Sequence, residues 1–168
     1  MKAAWGSAPG ADSYEVWAAF CGTSAFEKVC TVQASKATIK SLKGKKLSRK
    51  KCVKAYVVAM RAGTEIGRTF IGHTAGPENR HTNAKKITVS KTAYSLPVGQ
   101  TEKIQAKIVK AKKGRKLLHG NNLVYASSNP AVAAVSADGT ISAVGAGSCE
   151  VWVYALNGKR QKLTVTVQ

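Results

Sequence analysis

Hydrophobic and polar positions alternate along most of this chain, and helical periodicity is hard to find. A period of two residues predicts β-strands. In the first half of the chain the predicted strands are 13–20, 26–32, 37–42, 52–60 and 66–71. In the second half they are 86–89, 101–108, 123–127, 131–135, 139–143, 148–154 and 161–168. Short strands separated by turns rich in Gly, Asn, Ser or Lys are typical of all-β sandwiches.

Turn and linker residues divide this series in two. Asp138-Gly139 and Asn157-Gly158 predict tight hairpin turns, because glycine supplies the positive φ that such turns need. The polar segment 74–83 contains both Gly and Pro and is the best internal break. The sequence therefore predicts a first β domain over residues 1–76, a linker over 77–83 and a second β domain over 84–168.

Apolar segments are short throughout the chain. The run over residues 55–60 is far from the ~20 residues that a membrane-spanning helix needs. The first residues also lack the apolar core of a signal peptide. We therefore expect a fragment of a longer protein, with a signal peptide upstream of it.

The charge of the chain is strongly positive. Twenty-seven Lys and Arg against eight Asp and Glu give a net charge of +19. Residues 1–76 carry +9 and residues 84–168 carry +10, so the excess belongs to both domains. Such a field favours anionic partners, although an excess of Lys is also ordinary surface chemistry.

The second domain carries a recognisable pattern. Residues 126–147 read ASSNPAVAAVSADGTISAVGAG, flanked by ITV at 87–89 and LTVTV at 163–167. Nearly all of residues 84–168 resembles the bacterial immunoglobulin-like domain, group 2. The resemblance implies an immunoglobulin-like sandwich in which Tyr125 is a buried aromatic anchor. Its other core positions would be Val132, Val135, Ile141, Val151, Val153 and Ala155.

The first domain is similar to a fibronectin type III module, although less closely. That resemblance implies a core of Trp5, Tyr14 and Val16. Val53 stands where the family has a corner tyrosine, and the family's first strand has no counterpart before Met1. Two tandem immunoglobulin-like sandwiches of this kind resemble the tail of a Gram-positive bacterial surface protein.

The cysteines offer one cross-link. In such sandwiches Cys21 ends a strand beside the strand that Cys52 begins, and both have outward parity, so a disulfide between them is geometrically feasible. Four free thiols are the alternative, and Cys149 belongs to the other domain. No C-x-x-C pair is present, so zinc and thioredoxin-like sites lack support.

Catalytic residues are scarce. His73 belongs to the last strand of the first domain, His81 to the linker and His119 to a basic loop, with no spacing that completes a metal site. No carboxylate is positioned to tune them for acid–base work. We expect no enzyme, no cofactor and no metal.

Two basic loops are candidate sites for polyanions. They comprise Lys43, Lys45, Lys46, Arg49, Lys50 and Lys51 in the first domain, and Lys110, Lys112, Lys113, Arg115 and Lys116 in the second. No aromatic residue interleaves either run, so there is no stacking platform for single-stranded nucleic acid. Specific nucleic-acid recognition is not expected.

Four aromatic residues have outward parity and are candidates for contact with a ligand. They are Trp17, Tyr56, Trp152 and Tyr154. Aromatic rings stack on sugars, but the same residues can pack at a sheet edge or against a partner.

The resulting hypothesis is a non-catalytic structural or adhesive pair of modules in a secreted or cell-surface bacterial protein. It would be a monomer that contacts anionic cell-wall polymers, glycans or host surface proteins. The alternative is a carbohydrate-binding accessory of a glycan-degrading enzyme.

Overall fold

The computed structural model describes residues 1–120 and 122–168, and within them regular structure consists of β-strands alone. The all-β class expected from the sequence is confirmed. The chain divides into two compact units, Met1–Arg80 and His81–Gln168, which we call unit 1 and unit 2. No helix that could cross a membrane occurs in the described part of the chain.

Unit 1 contains nine strands. They are β1 (Lys2–Ala4), β2 (Ser13–Phe20), β3 (Glu27–Val32), β4 (Lys36–Thr38), β5 (Ser41–Leu42), β6 (Lys45–Lys46), β7 (Cys52–Arg61), β8 (Thr64–Arg68) and β9 (Gly72–Ala75). The main sheet has the order β3-β2-β7, and both β8 and β9 pair with the free edge of β7. The small sheet β1-β4 is antiparallel, and β5 and β6 form a hairpin.

The core of unit 1 follows from the alternation along β2 and β7. Tyr14 and Val16 of β2 and Val57 of β7 point inward and are at most 7% exposed. Ile39 and Leu42, from the opposite side, are completely buried against them. Hydrogen bonds between Met1 and Ile39 in both directions hold the start of the chain against this core.

The described residues of unit 2 form a further nine strands. They are β10 (Ala84–Val89), β11 (Ala93–Leu96), β12 (Thr101–Lys103), β13 (Ala106–Lys110), β14 (Leu123–Ser127), β15 (Ala133–Val135), β16 (Thr140–Ala143), β17 (Gly147–Ala155) and β18 (Arg160–Val167). The largest sheet has the order β11-β18-β17-β14, with β11 parallel to β18. A second sheet has the order β12-β16-β15, and β10 pairs with β13.

The core of unit 2 is formed by the inward residues of these strands. Ile141, Val151, Val153 and Ala155 are buried, as the family resemblance implied. Val132 and Val135 are half-buried and pack against them. Gly139, in the turn before β16, has a φ of +85°, and Gly158, between β17 and β18, has a φ of +80°. Both predicted glycine turns are therefore present.

Two predicted strands are each split in two, because the chain changes its pairing partner, and a third is shorter than predicted. Segment 101–108 breaks at Ile104, where β12 leaves β16 and β13 joins β10. Segment 37–42 becomes β4 and β5, which pair with β1 and β6. The predicted segment 66–71 corresponds only to β8, which ends at Arg68; Thr69 is then bonded to Val57, and β9 begins beyond the segment, at Gly72. Alternation alone does not reveal a change of partner.

The two aromatic anchors are less buried than expected. Trp5 and Tyr125 are both half-buried and pack at the margin of their cores. Trp5 lies edge-on to Tyr14, with ring centroids 5.6 Å apart. Tyr125 covers the hairpin turn at Gly139, where an added Cβ would lie 2.6 Å from its Cζ. The prediction that both are buried anchors is therefore wrong as to burial, although both pack against their cores.

Candidate functional sites

Aromatic side chains gather on the outer face of the main sheet of unit 1. Trp17 of β2 and Tyr56 of β7 are direct cross-strand partners, so they share that face. Their rings are parallel, with centroids 6.2 Å apart. Phe26 meets Tyr56 edge-on at 4.9 Å, and the guanidinium of Arg68 lies 5.7 Å from the Tyr56 centroid. The half-buried rings thus form one packed patch with a cation over it.

Charged pairs frame this patch. The Trp17 indole Nε1 donates to Glu15 at 3.0 Å, and Lys28 Nζ lies 2.9 Å from the same carboxylate. These two donors, Lys28 first, hold the pKa of Glu15 below its usual range. Arg68 likewise lowers the pKa of Glu65, which it contacts at 2.5 Å. The polar groups around the aromatic patch are therefore already paired within the unit.

The outer face of the large sheet in unit 2 carries Trp152 and Tyr154. Their ring centroids are 6.4 Å apart on strand β17. Two cations of the neighbouring strand β18 lie near the Trp152 ring, Arg160 at 4.6 Å and Lys162 at 6.0 Å. Both aromatic rings are half-buried. A sugar that stacked on Trp152 would compete with these cation–π contacts for the ring.

The basic loop of unit 1 follows Leu42 and runs to Cys52. Its six predicted cations are all exposed. The loop is anchored at both ends, because the Lys43 backbone N–H donates to Glu27 and the Arg49 side chain pairs with Glu78 at 2.5 Å. The Lys51 ammonium lies 4.9 Å from the ring centroid of Phe20. The cations therefore project from a fixed loop.

The basic loop of unit 2 is organised by one threonine. Thr82 is only 4% exposed, and its hydroxyl accepts from the backbone N–H of Lys112 at 3.0 Å. The Thr82 backbone N–H donates to the carbonyl of Lys116, and its own carbonyl accepts from Leu118. Lys112, Lys113 and Lys116 are exposed, whereas Lys110 and Arg115 are half-buried.

These bonds also show where the predicted linker lies. Residues 77–83 divide between the two units. Glu78 and Asn79 are bonded to the loop of unit 1, whereas Thr82 is built into unit 2.

All eight Asp and Glu carboxylates of the chain lie within the described residues, and each accepts a hydrogen bond or forms an ion pair. Six form salt bridges, namely Glu15, Glu65, Glu78, Glu102, Asp138 and Glu150. Asp12 and Glu27 accept from the backbone N–H groups of Ala62 and Lys43, both at 2.6 Å. The Ala62 amide lowers the pKa of Asp12. These carboxylates therefore serve turns and strand pairs.

Two cysteines and a histidine meet at one end of the main sheet of unit 1. Cys21 follows β2 and Cys52 begins β7, and the structure joins them in a disulfide with 5.3 Å between their Cα atoms. His73 Nδ1 lies 3.6 Å from Cys21 Sγ. Cys30 and Cys149 are free thiols, half-buried and buried respectively.

Sequence reasoning did not associate His73 with the cysteines. The signal that could have revealed it is register. His73 is the cross-strand partner of Lys54, which stands two residues after Cys52 on the same face of β7. Placing β9 correctly would have put the imidazole beside the cysteines.

A family model for the bacterial Ig-like domain (group 2) matches residues 83–167, just over half of the chain. The chain belongs to this family. The matched segment is unit 2 with two residues fewer at its start and one fewer at its end. Among proteins with curated descriptions, none matches this group 2 Ig-like chain significantly.

Solved structures are similar to the group 2 Ig-like chain only at low identity. The S-layer protein rSbsC(31-844) is 18% identical over 97% of this chain, with a TM-score of 0.43. SbsC domains 4 and 5 are 18% identical over 69%, with a TM-score of 0.41. The C-terminal 282-residue fragment of intimin, in complex with the intimin-binding domain of its translocated receptor, is 14% identical over 99%, with a TM-score of 0.32. The chain spans 21%, 64% and 56% of these three structures, respectively.

Proposed function

We propose that the chain is a non-catalytic pair of modules in a secreted or cell-surface bacterial protein. It acts as a spacer and contacts anionic polymers of the cell wall through its two basic loops. The observation that supports this proposal most directly is that the carboxylates are already bonded within the protein and cannot balance its cations. All eight are bonded within the protein, whereas the cations exceed them by 19.

The charge balance supports contact with a polyanion. Even if every carboxylate neutralises one cation, 19 positive charges remain. Each phosphate that a Lys or Arg neutralises releases a condensed counterion, so many weak contacts add up and affinity falls steeply with salt. The fixed loop backbones reduce the conformational entropy that the protein loses on binding.

The test is binding of the full chain to polyglycerol-phosphate teichoic acid at several salt concentrations. Changing Lys45, Lys46, Lys50 and Lys51 to Glu should weaken binding about tenfold or more and reduce its salt dependence. The matched control changes four exposed lysines outside the loops, Lys36, Lys85, Lys86 and Lys159, to Glu and has the same net charge. Equal losses in the two variants would contradict a role for the loop. So would binding that is insensitive to salt.

We also propose that unit 1 is a fibronectin type III-like module that lacks the family's first strand. The order β3-β2-β7 with β9 at the edge, facing the pair β1-β4, supports this assignment. So do the buried Tyr14 and Val16 and the contact of Tyr14 with Trp5. An experimental structure of the chain tests the proposal. The pair β1-β4 packed on a sheet of order β3-β2-β7-β9 would support it, and a different sheet order would contradict it.

Carbohydrate binding is the second candidate function. The parallel rings of Trp17 and Tyr56 on one outer face favour it, because flat aromatic surfaces stack on sugars. Glycan-array binding that disappears in Trp17→Ala or Trp152→Ala would support this function over the spacer. An Ile71→Ala variant is the matched control for unit 1 and should keep binding, because it removes an exposed apolar side chain that does not belong to the aromatic patch. No binding on any array would count against this second candidate.

A further inference from the structure

We propose that Cys21, Cys52 and His73 bind a zinc-type divalent metal ion when the two cysteines are thiols. The three side chains come from three adjacent strand ends of one sheet. Cys21 N–H donates to the carbonyl of Cys52 at 3.0 Å, so β2 and β7 are in contact there. β9, on the other side of β7, carries His73 on the same face as Cys52 because His73 pairs with Lys54.

The distances fit one ion. The two sulfurs and one ring nitrogen lie within 4.8 Å of one another. Cys21 Sγ and His73 Nδ1 are 3.6 Å apart. In a tetrahedral zinc site, with Zn–S near 2.3 Å and Zn–N near 2.0–2.1 Å, a sulfur and a nitrogen ligand stand about 3.6 Å apart. The imidazole is therefore already at the spacing that zinc ligands have.

The chemistry of the three ligand atoms determines which class of metal ion can bind. Two thiolates and an imidazole suit zinc and related soft or borderline ions, whereas Mg²⁺ and Ca²⁺ require oxygen ligands. Two thiolates also neutralise the charge of a divalent ion. A neutral complex can be held where Cys52 is only 8% exposed, because burying it does not leave an uncompensated charge.

The disulfide and the metal are alternative states of the same sulfurs. Opening the Cys21–Cys52 bond takes two electrons and two protons. A phosphine reductant supplies the two electrons, and the water molecule that converts it to the phosphine oxide supplies the oxygen of the oxide and the two protons. The two thiols then lose their protons to solvent as the ion binds. Their sulfurs move from about 2.05 Å in a disulfide to about 3.7 Å apart around a tetrahedral ion.

The experiment uses the full chain, reduced with a phosphine, freed of metal and titrated with Co²⁺. We expect one ion per chain, with a thiolate-to-cobalt charge-transfer band and the visible absorption of a tetrahedral complex. Zn²⁺ should bleach both signals. Cys21→Ser, Cys52→Ser and His73→Ala should each weaken binding at least tenfold. The matched controls Cys30→Ser and Cys149→Ser should leave it unchanged.

A second measurement needs no substitution and so does not depend on the folding of variants. Zn²⁺ should protect Cys21 and Cys52 of the reduced chain from alkylation, mapped by mass spectrometry, and leave the labelling of Cys30 unaffected. Absence of the charge-transfer band in the reduced chain would overturn the proposal. So would alkylation of Cys21 and Cys52 at the same rate with and without zinc.

Discussion

Units 1 and 2 are both β-sandwiches of similar length, yet they bury very different cores. Among the described residues, fifteen buried side chains form the core of unit 2 and eight form that of unit 1. Unit 1 compensates outside its core, with the cysteine cross-link at one end of its sheet and the aromatic patch on its outer face. Small domains that bury less apolar surface are commonly stabilised by cross-links or metals.

The two units also differ in how their strands pair, and this difference explains which unit is easier to recognise in the sequence. In unit 2 the long strands β17 and β18 pair with each other without interruption from Gly147 to Tyr154, so alternation is continuous along both. In unit 1 the edge of β7 is shared by two short strands. The alternation of hydrophobic and polar residues is therefore interrupted in unit 1.

The largest effect should come from a glycine in unit 1. A Cβ at Gly76 would lie 2.2 Å from the backbone oxygen of Arg49 and 2.9 Å from that of Lys51, and backbone atoms cannot move aside cheaply. Gly76→Ala should destabilise unit 1 by about 4 kcal/mol or more. Urea unfolding of the full chain, followed by hydrogen exchange of β7 and β9, measures it. Gly6→Ala, where nothing lies within 4 Å, should be nearly neutral; equal stability of the two variants would show that the packing at Gly76 is wrong.

The next largest loss of stability should come from a cavity in the core of unit 2, the larger of the two cores. Ile141 is 0% exposed, and Ile141→Ala should destabilise unit 2 by about 3 kcal/mol, through lost burial and the cavity left behind. Hydrogen exchange should increase in β16 and β17 and stay unchanged in β2. The matched control is Ile71→Ala in unit 1, because Ile71 is 44% exposed and its truncation should cost little. A loss of protection in both units would mean that they do not unfold separately.

Two glycines of unit 2 separate backbone strain from packing. Gly139 and Gly158 have almost the same positive φ, but only Gly139 lies under a side chain, that of Tyr125. Gly158→Ala should cost about 1 kcal/mol through strain alone, and Gly139→Ala about 2 kcal/mol because the Tyr125 ring must also shift. Thermal unfolding of the two variants gives the difference. Equal costs would show that Tyr125 does not press on the turn.

The smallest effect should be the pH dependence of the same hairpin. Lys103, together with Ser136 and Thr140, holds the pKa of Asp138 well below its usual range. Because the folded pKa is depressed, the stabilisation is present above the unfolded pKa of about 4 and is lost as the pH falls through the folded pKa. Asp138→Asn should therefore melt below the parent at pH 7, and the difference should shrink with acid. A difference that is constant down to pH 2 would contradict this.

Much of the fold could be predicted from alternation and turn chemistry. The strand over residues 123–127 has the predicted bounds, and β2 does as well. Local pattern could not show where a strand changes partner, as at Ile104, because both halves remain alternating. It also could not show how deeply an aromatic residue such as Tyr125 is buried, since that depends on what packs over it.

The candidate site was only partly accessible to sequence reasoning. The outward parity of Cys21 and Cys52 at neighbouring strand ends indicated that these two cysteines lie close together. His73 was assigned to the last strand of the first domain, but it was missed as their neighbour because the segment predicted for that strand, 66–71, gave no register for His73 against β7; β9 spans Gly72–Ala75. The spacing of cysteines and histidines along the chain carried no motif. The cluster depends on sheet register, which links residues far apart in the chain.

The most direct test of the difference between the units is hydrogen exchange of the full chain, oxidised and then reduced with a phosphine in the presence of a metal chelator. The Cys21–Cys52 cross-link closes a segment of 31 residues, for which the chain-entropy relation gives about 3–4 kcal/mol. We predict that reduction lowers protection in β2 and β7 by that amount and leaves β17 and β18 unchanged. Equal loss in both units, or unchanged protection in β2 and β7, would contradict the account.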